Sequence, residues 1–209
     1  MGNAGIRMSV FPHLYKDGEV IPEEGFDTKN YNDVPLLLVT GTSEFSLFTA
    51  FDKRFAASVS DGSLFKDENL LKEFTYAETY GSQLYRLSNT VESARIMSEH
   101  YTSPIYISQS SFGDDGTSAP TVAGLLGAFH GVFEPLLQTP SNYATFIGDD
   151  FESAGAKELS KDFKAYLKQF VTTGDPNGED LPKWAAWTAS NQEVLSMDAD
   201  LKQATIAMS

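Results

Sequence analysis

Three histidines, His13, His100 and His130, are the only imidazoles in a chain that has no cysteine, and their settings differ. His130 lies in GAFHGVFEP at 127–135, with Gly127 and Gly131 on either side of what reads as a loop. A base on such a loop is open to solvent and to substrate. The same spacing also fits a surface-loop histidine. His13 sits beside Pro12 in an irregular stretch, and His100 closes a predicted helix, where a protonated ring favours the C-terminal dipole; both read as structural. Glu44 is the second candidate. It follows the apolar run VPLLLVTGT at 34–42, so it emerges just beyond the C-terminal end of a strand, where open α/β sheets gather ligands and catalytic groups. A carboxylate there can accept a hydrogen bond from one imidazole nitrogen and fix the tautomer. It then stabilises the imidazolium formed when the other nitrogen takes a proton from a nucleophile. The competing reading of Glu44 is a solvated acid beside the start of the next helix.

Such groups need a rigid frame, and the sequence outlines one. Residues 34–42 form a continuous apolar run ending at glycine, the pattern of a strand buried on both faces of a parallel sheet. From Glu44 to Leu87, aromatics such as Phe45, Phe48, Phe51, Phe74 and Tyr85 recur at mostly helical spacings. Ser88 or Asn89 offers an N-cap for a short helix running to about Tyr101, with Pro104 as a stop. SPIYISQSSF at 103–112 predicts a second strand, followed by the loop GDDGTSAP. Residues 157–171 place Leu159, Phe163, Tyr166, Leu167, Phe170 and Val171 on one helical face, closed by Gly174 and Pro176. A last short strand is expected at Glu193 to Met197. Strands separated by helices predict an α/β fold with a mostly parallel sheet and right-handed crossovers.

Bulk properties narrow the function. With 209 residues the chain can bury one sizeable core, and it reads as a single partial domain over 1–209. A formal charge of -14 repels phosphate backbones and anionic lipid, so neither nucleic acid nor a membrane surface is an expected partner. The absence of cysteine removes disulfides, thiolate chemistry and cysteine-ligated zinc. No apolar run reaches the roughly 18 residues that span a bilayer, and MGNAGIRMSV lacks the pattern of a signal peptide. A soluble chain is expected, with the cytoplasm favoured over the exterior by the missing signal pattern, while cysteine usage fits both and leaves the compartment open.

Four segments in order, VPLLLVTGTSEFSLF, SPIYISQSSF, GAFHGVFEP and FVTTGDPNGEDLPKWAAWT, resemble the C-terminal part of a type-B carboxylesterase. That family includes the cholinesterases and the bacterial para-nitrobenzyl esterases. The resemblance runs from PHLYKDGEVIPEEGF to the Trp184 and Trp187 segment. It implies the last strands of an α/β-hydrolase sheet with packing helices and without the N-terminal half. Glu44 falls at the family's triad acid and His130 at its triad base, with Glu134 as a loop-fixing acid. The sequence departs from the family around the acid, where it reads Thr42, Ser43, Glu44, Phe45 in place of the usual Asp-Glu-Gly. Phe129 and Phe133 read either as pocket lining or as core.

A G-x-S-x-G elbow and a glycine-rich oxyanion loop are both missing; GTSEF at 41–45 fails at its last glycine. These hydrolases order the triad serine, acid, histidine, and the 43 residues before Glu44 hold no strand–serine–helix unit. The expected nucleophile therefore lies outside this chain. The implied partners are a small ester in the complete enzyme and either the missing N-terminal half or a second copy on a bare sheet edge. No metal or organic cofactor is implied. The rival reading is a binding or adhesion module that keeps the esterase-like architecture without hydrolysis.

Overall fold

The computed structural model describes residues 15–25, 29, 32–115, 125–138, 147 and 149–209. His13 lies outside them. Strand β1 is Leu36–Gly41, and the chain then turns into a short helix α1, Ser46–Ala50. Helix α2, Ala56–Ser60, and a 3₁₀ turn at Ser63–Lys66 lead into α3, Glu68–Arg86. Asp67 caps α3, its carboxylate accepting from the Asn69 and Leu70 amides.

Ser88 and Asn89 do not start a new helix. Both side chains bond back to the Tyr85 carbonyl, Ser88 Oγ at 3.2 Å and Asn89 Nδ2 at 3.1 Å, the habit of such residues inside helices. The extra residue is absorbed as a π turn at Leu87–Val91, and the helix runs on as α4, Glu92–Ser98. His100 lies just past that end, its amide bonded to the Met97 carbonyl.

Strand β2 is Ile105–Ser110, α5 is Phe133–Leu137, and a 3₁₀ turn at Asp150–Glu152 precedes α6, Ala154–Thr173. Ser153 caps α6 and Gly174 ends it. The predicted face holds for Leu159, Phe163 and Tyr166, but Val171 is 82% exposed; at the last turn it has rotated off the core side. Strands β3, Leu195–Ala199, and β4, Ala204–Met208, close the chain.

The sheet order is β1-β2-β3-β4, with the first three strands parallel and β4 antiparallel. Tyr106, Leu195 and Met197 face one layer, where Leu159, Phe163 and Tyr166 of α6 complete the larger core. Ile105 and Ile107 face the other layer, against Ala94 of α4, Trp187 and Val194. The pairing of β2 with β3 begins only at Ser108. Ahead of it the open carbonyls of β2 are taken by the tryptophan segment: Trp187 N–H donates to Ile105 at 2.7 Å and Trp184 Nε1 to Ile107 at 3.0 Å.

Strand β1 departs from the expectation of burial on both faces. Leu36, Leu37 and Leu38 are half-buried and Val39 is 40% exposed, whereas β2 is buried almost throughout. The cause is its place at the sheet margin: among the described residues it pairs with β2 alone.

Candidate active site

Both candidate side chains stand beyond the C-terminal ends of parallel strands. Glu44 follows β1, and its side chain folds back onto that strand instead of capping α1, whose first turn has no side-chain cap. Its Oε1 accepts from the Gly41 N–H at 2.6 Å and the Thr40 hydroxyl at 3.2 Å. Its Oε2 lies 2.7 Å from His130 Nδ1. Glu44 is only 6% exposed, and a buried carboxylate needs such a set of donors. The solvated-acid reading is thereby replaced.

An ionised carboxylate only accepts, so the proton between the two groups belongs on Nδ1 and leaves Nε2 with its lone pair. The His130 side chain is 45% exposed, so its outer edge is within reach of solvent. Phe48 of α1 and Tyr85 of α3 flank the ring, with centroids at 5.2 Å and 5.5 Å. Their spacing in the sequence marks both aromatics only as helix-face residues. Only the tertiary approach of α1 and α3 to the histidine loop reveals their place.

The hydrogen bond to Glu44 raises the His130 pKa above its usual value of 6.5; burial opposes this, and the charges of Glu44 and Glu134 add to it. Glu134 is itself exposed. Phe129 and Phe133 are buried in the larger core, with Phe133 packed on Phe163 at 5.0 Å, so both contribute to packing.

A raised folded-state pKa means that protonation stabilises the native chain. That contribution is complete below about pH 6.5, the unfolded value, and vanishes as pH climbs through the higher folded value. Denaturant titrations of the wild type and His130→Gln should therefore separate further as pH falls through this window and hold a constant gap below it. A gap independent of pH would contradict the assignment.

The histidine loop reaches Glu44 because β1 ends in glycine. A Cβ on Gly41 would lie 2.1 Å from the Ala128 carbonyl oxygen. The Ser43 N–H donates to that same oxygen at 3.2 Å, and the Ser46 hydroxyl donates to the Leu126 carbonyl at 2.5 Å. The acid turn is fixed from behind as well, since the Phe45 N–H donates to Ser82 Oγ of α3 at 2.8 Å. Among the described residues no cluster of His, Asp and Glu has the makings of a metal site, and no helix is long and apolar enough to cross a membrane.

Parallel strands flanked by helices, with an acid and a histidine meeting at their C-terminal ends, define the C-terminal portion of an α/β-hydrolase fold. Two solved structures carry this likeness. A para-nitrobenzyl esterase superposes with a TM-score of 0.55 at 18% identity, over 90% of this chain and 38% of its own. The carboxylesterase of Geobacillus stearothermophilus gives 0.53 at 21% identity, over 92% of this chain and 41% of its own. This chain thus spans about two fifths of the length of either esterase. No family model and no curated protein matches the sequence.

Proposed function

We propose that this chain supplies the histidine and the acid of a serine carboxylic-ester hydrolase of type-B carboxylesterase kind. The serine and the oxyanion donors come from outside these residues. The observation that carries the reading is the 2.7 Å bond between buried Glu44 and part-exposed His130 at adjoining strand ends. In the complete enzyme a serine hydroxyl attacks the ester carbonyl while Nε2 of His130 takes its proton and then delivers it to the departing alkoxide. Water repeats the cycle on the acyl-enzyme with the same base. Glu44 holds the ring in the productive tautomer and steadies the imidazolium. The scheme runs without a metal or organic cofactor.

The 209 residues then form one partial domain, and the nucleophile-bearing strands extend the sheet along the side of β1 that pairs with no other strand among the described residues. Two features support that docking. The edge strand is incompletely covered, and α3 with its π turn presents Tyr76, Tyr80, Leu84 and Leu87, each more than half exposed, at successive helical turns. Without the complementary half, a second copy of the chain is the expected occupant of that edge.

The test is hydrolysis of a short-chain para-nitrophenyl ester by the full product of the gene. Turnover that disappears in His130→Ala is the expected result. A full product that folds, binds an ester analogue and never turns it over would replace the enzyme with a binding module of the same architecture.

A further inference from the structure

Two crossover loops must meet for Glu44 and His130 to touch, and one carboxylate grips both. Asp114 follows β2 in a turn closed by its own N–H on the Ser111 carbonyl at 3.0 Å. Its Oδ1 accepts from the Ser43 hydroxyl at 2.9 Å and from the Ala128 N–H at 2.9 Å, and its Oδ2 accepts from the Thr42 hydroxyl. Thr42 and Ser43 immediately precede Glu44, and Ala128 lies two residues before His130. The Thr42 hydroxyl also reaches the Ser110 carbonyl at 3.1 Å, which links the acid turn to the end of β2.

Asp114 is itself exposed, yet the histidine loop passes close against its carboxylate. Gly127 has φ +52, and a Cβ there would lie 2.4 Å from Asp114 Oδ1 and 2.8 Å from Ser43 Oγ. Only glycine lets the histidine loop press its backbone against this carboxylate. A third carboxylate thus bonds both to the turn before Glu44 and to the loop before His130.

We infer that Asp114 is a positioning residue of the Glu44–His130 pair: it clasps the acid turn and the histidine loop on one carboxylate and sets the separation of the two groups. The inference deepens the esterase reading and rests on it for its catalytic meaning. Its test is read on the imidazole of the 209-residue chain, so it succeeds or fails whether or not an ester is ever hydrolysed.

The probe is the NMR titration of the His130 ring together with the downfield Nδ1–H resonance expected of a proton held by a carboxylate. In Asp114→Ala the resonance should be lost and the His130 pKa should return most of the way to about 6.5, with the circular dichroism of the fold retained. In Asp114→Asn, which keeps an acceptor oxygen for the Ala128 N–H at the same size, the resonance should persist. An Asp114→Ala chain with the wild-type resonance and titration would overturn the inference. If that variant fails to fold, the double substitution Thr42→Val, Ser43→Ala removes the acid-turn donors and leaves Asp114 on Ala128. A weakened Nδ1–H resonance in that chain supports the clasp, and an unchanged one overturns it.

Discussion

In Glu44→Gln the His130 ring should switch tautomer. The wild-type carboxylate accepts hydrogen bonds on both oxygens: from Gly41 N–H and the Thr40 hydroxyl on Oε1, and from His130 on Oε2. An amide cannot do this. If its oxygen keeps the Gly41 N–H, its NH₂ group faces Nδ1, which must become an acceptor while the ring proton moves to Nε2. If it turns over to keep the Nδ1–H, two donors meet at the buried Gly41 amide, at a cost of about 1–3 kcal/mol for the unmet group. The first arrangement wins because the solvent-facing nitrogen carries its proton cheaply. Nitrogen chemical shifts of the ring should then report Nε2–H, and the His130 pKa should fall toward about 6.5 as the facing charge is lost. With Nε2 protonated the ring cannot receive the serine proton. Ester turnover by the complete enzyme should drop by about 10⁴, the loss that the equivalent acid-to-amide change causes in a serine protease. An unchanged tautomer and titration would remove Glu44 from the mechanism.

The strands and the long helix were legible because burial writes itself into local order. The run Leu36–Gly41 and the alternation of Ile105 and Ile107 announce strands, and Leu159, Phe163 and Tyr166 announce the inner face of α6. Strand β4 was not legible. ATIAM is short and only half-buried, and the turn ahead of it, where Asp200 accepts from the Lys202 and Gln203 amides, reads as a charged loop. The π turn escaped for a different reason. Ser88 and Asn89 carry the chemistry of a cap, and only the position of the Tyr85 carbonyl decides that they bond backward. For the site, strand-end position marked Glu44, flanking glycines marked His130, and resemblance joined the two. Asp114 had no such mark. In a Gly-Asp-Asp-Gly loop an acid is ordinarily a solvated turn residue, and its meaning arises from contacts with Ser43 and Thr42, 71 and 72 positions away.

Gly41→Ala should be the costliest single-methyl change at the site. The added carbon would stand 2.1 Å from the Ala128 oxygen, 3.0 Å from the Ala128 carbonyl carbon and 3.4 Å from the Phe129 oxygen. These are backbone atoms, so no side chain can swing aside to relieve the overlap. One of two movements must follow. If the end of β1 lifts, Gly41 leaves its register opposite Ser110 and withdraws the N–H that Glu44 receives at 2.6 Å. If the histidine loop retreats, Ala128 gives up its bonds to Ser43 and Asp114, and His130 is carried away from Glu44. Either route breaks the acid–histidine unit and strains a packed region, which typically costs about 1–3 kcal/mol. Denaturant unfolding should register that loss, and the His130 titration should move toward that of a free imidazole. The control is Gly178→Ala, where a new methyl meets Leu181 Cδ1 at 3.5 Å, an ordinary contact far from the site in sequence; it should leave the His130 titration in place. Wild-type stability and an unshifted His130 in Gly41→Ala would mean that the strand end and the histidine loop are not held together at the closeness on which the proposed proton transfer depends.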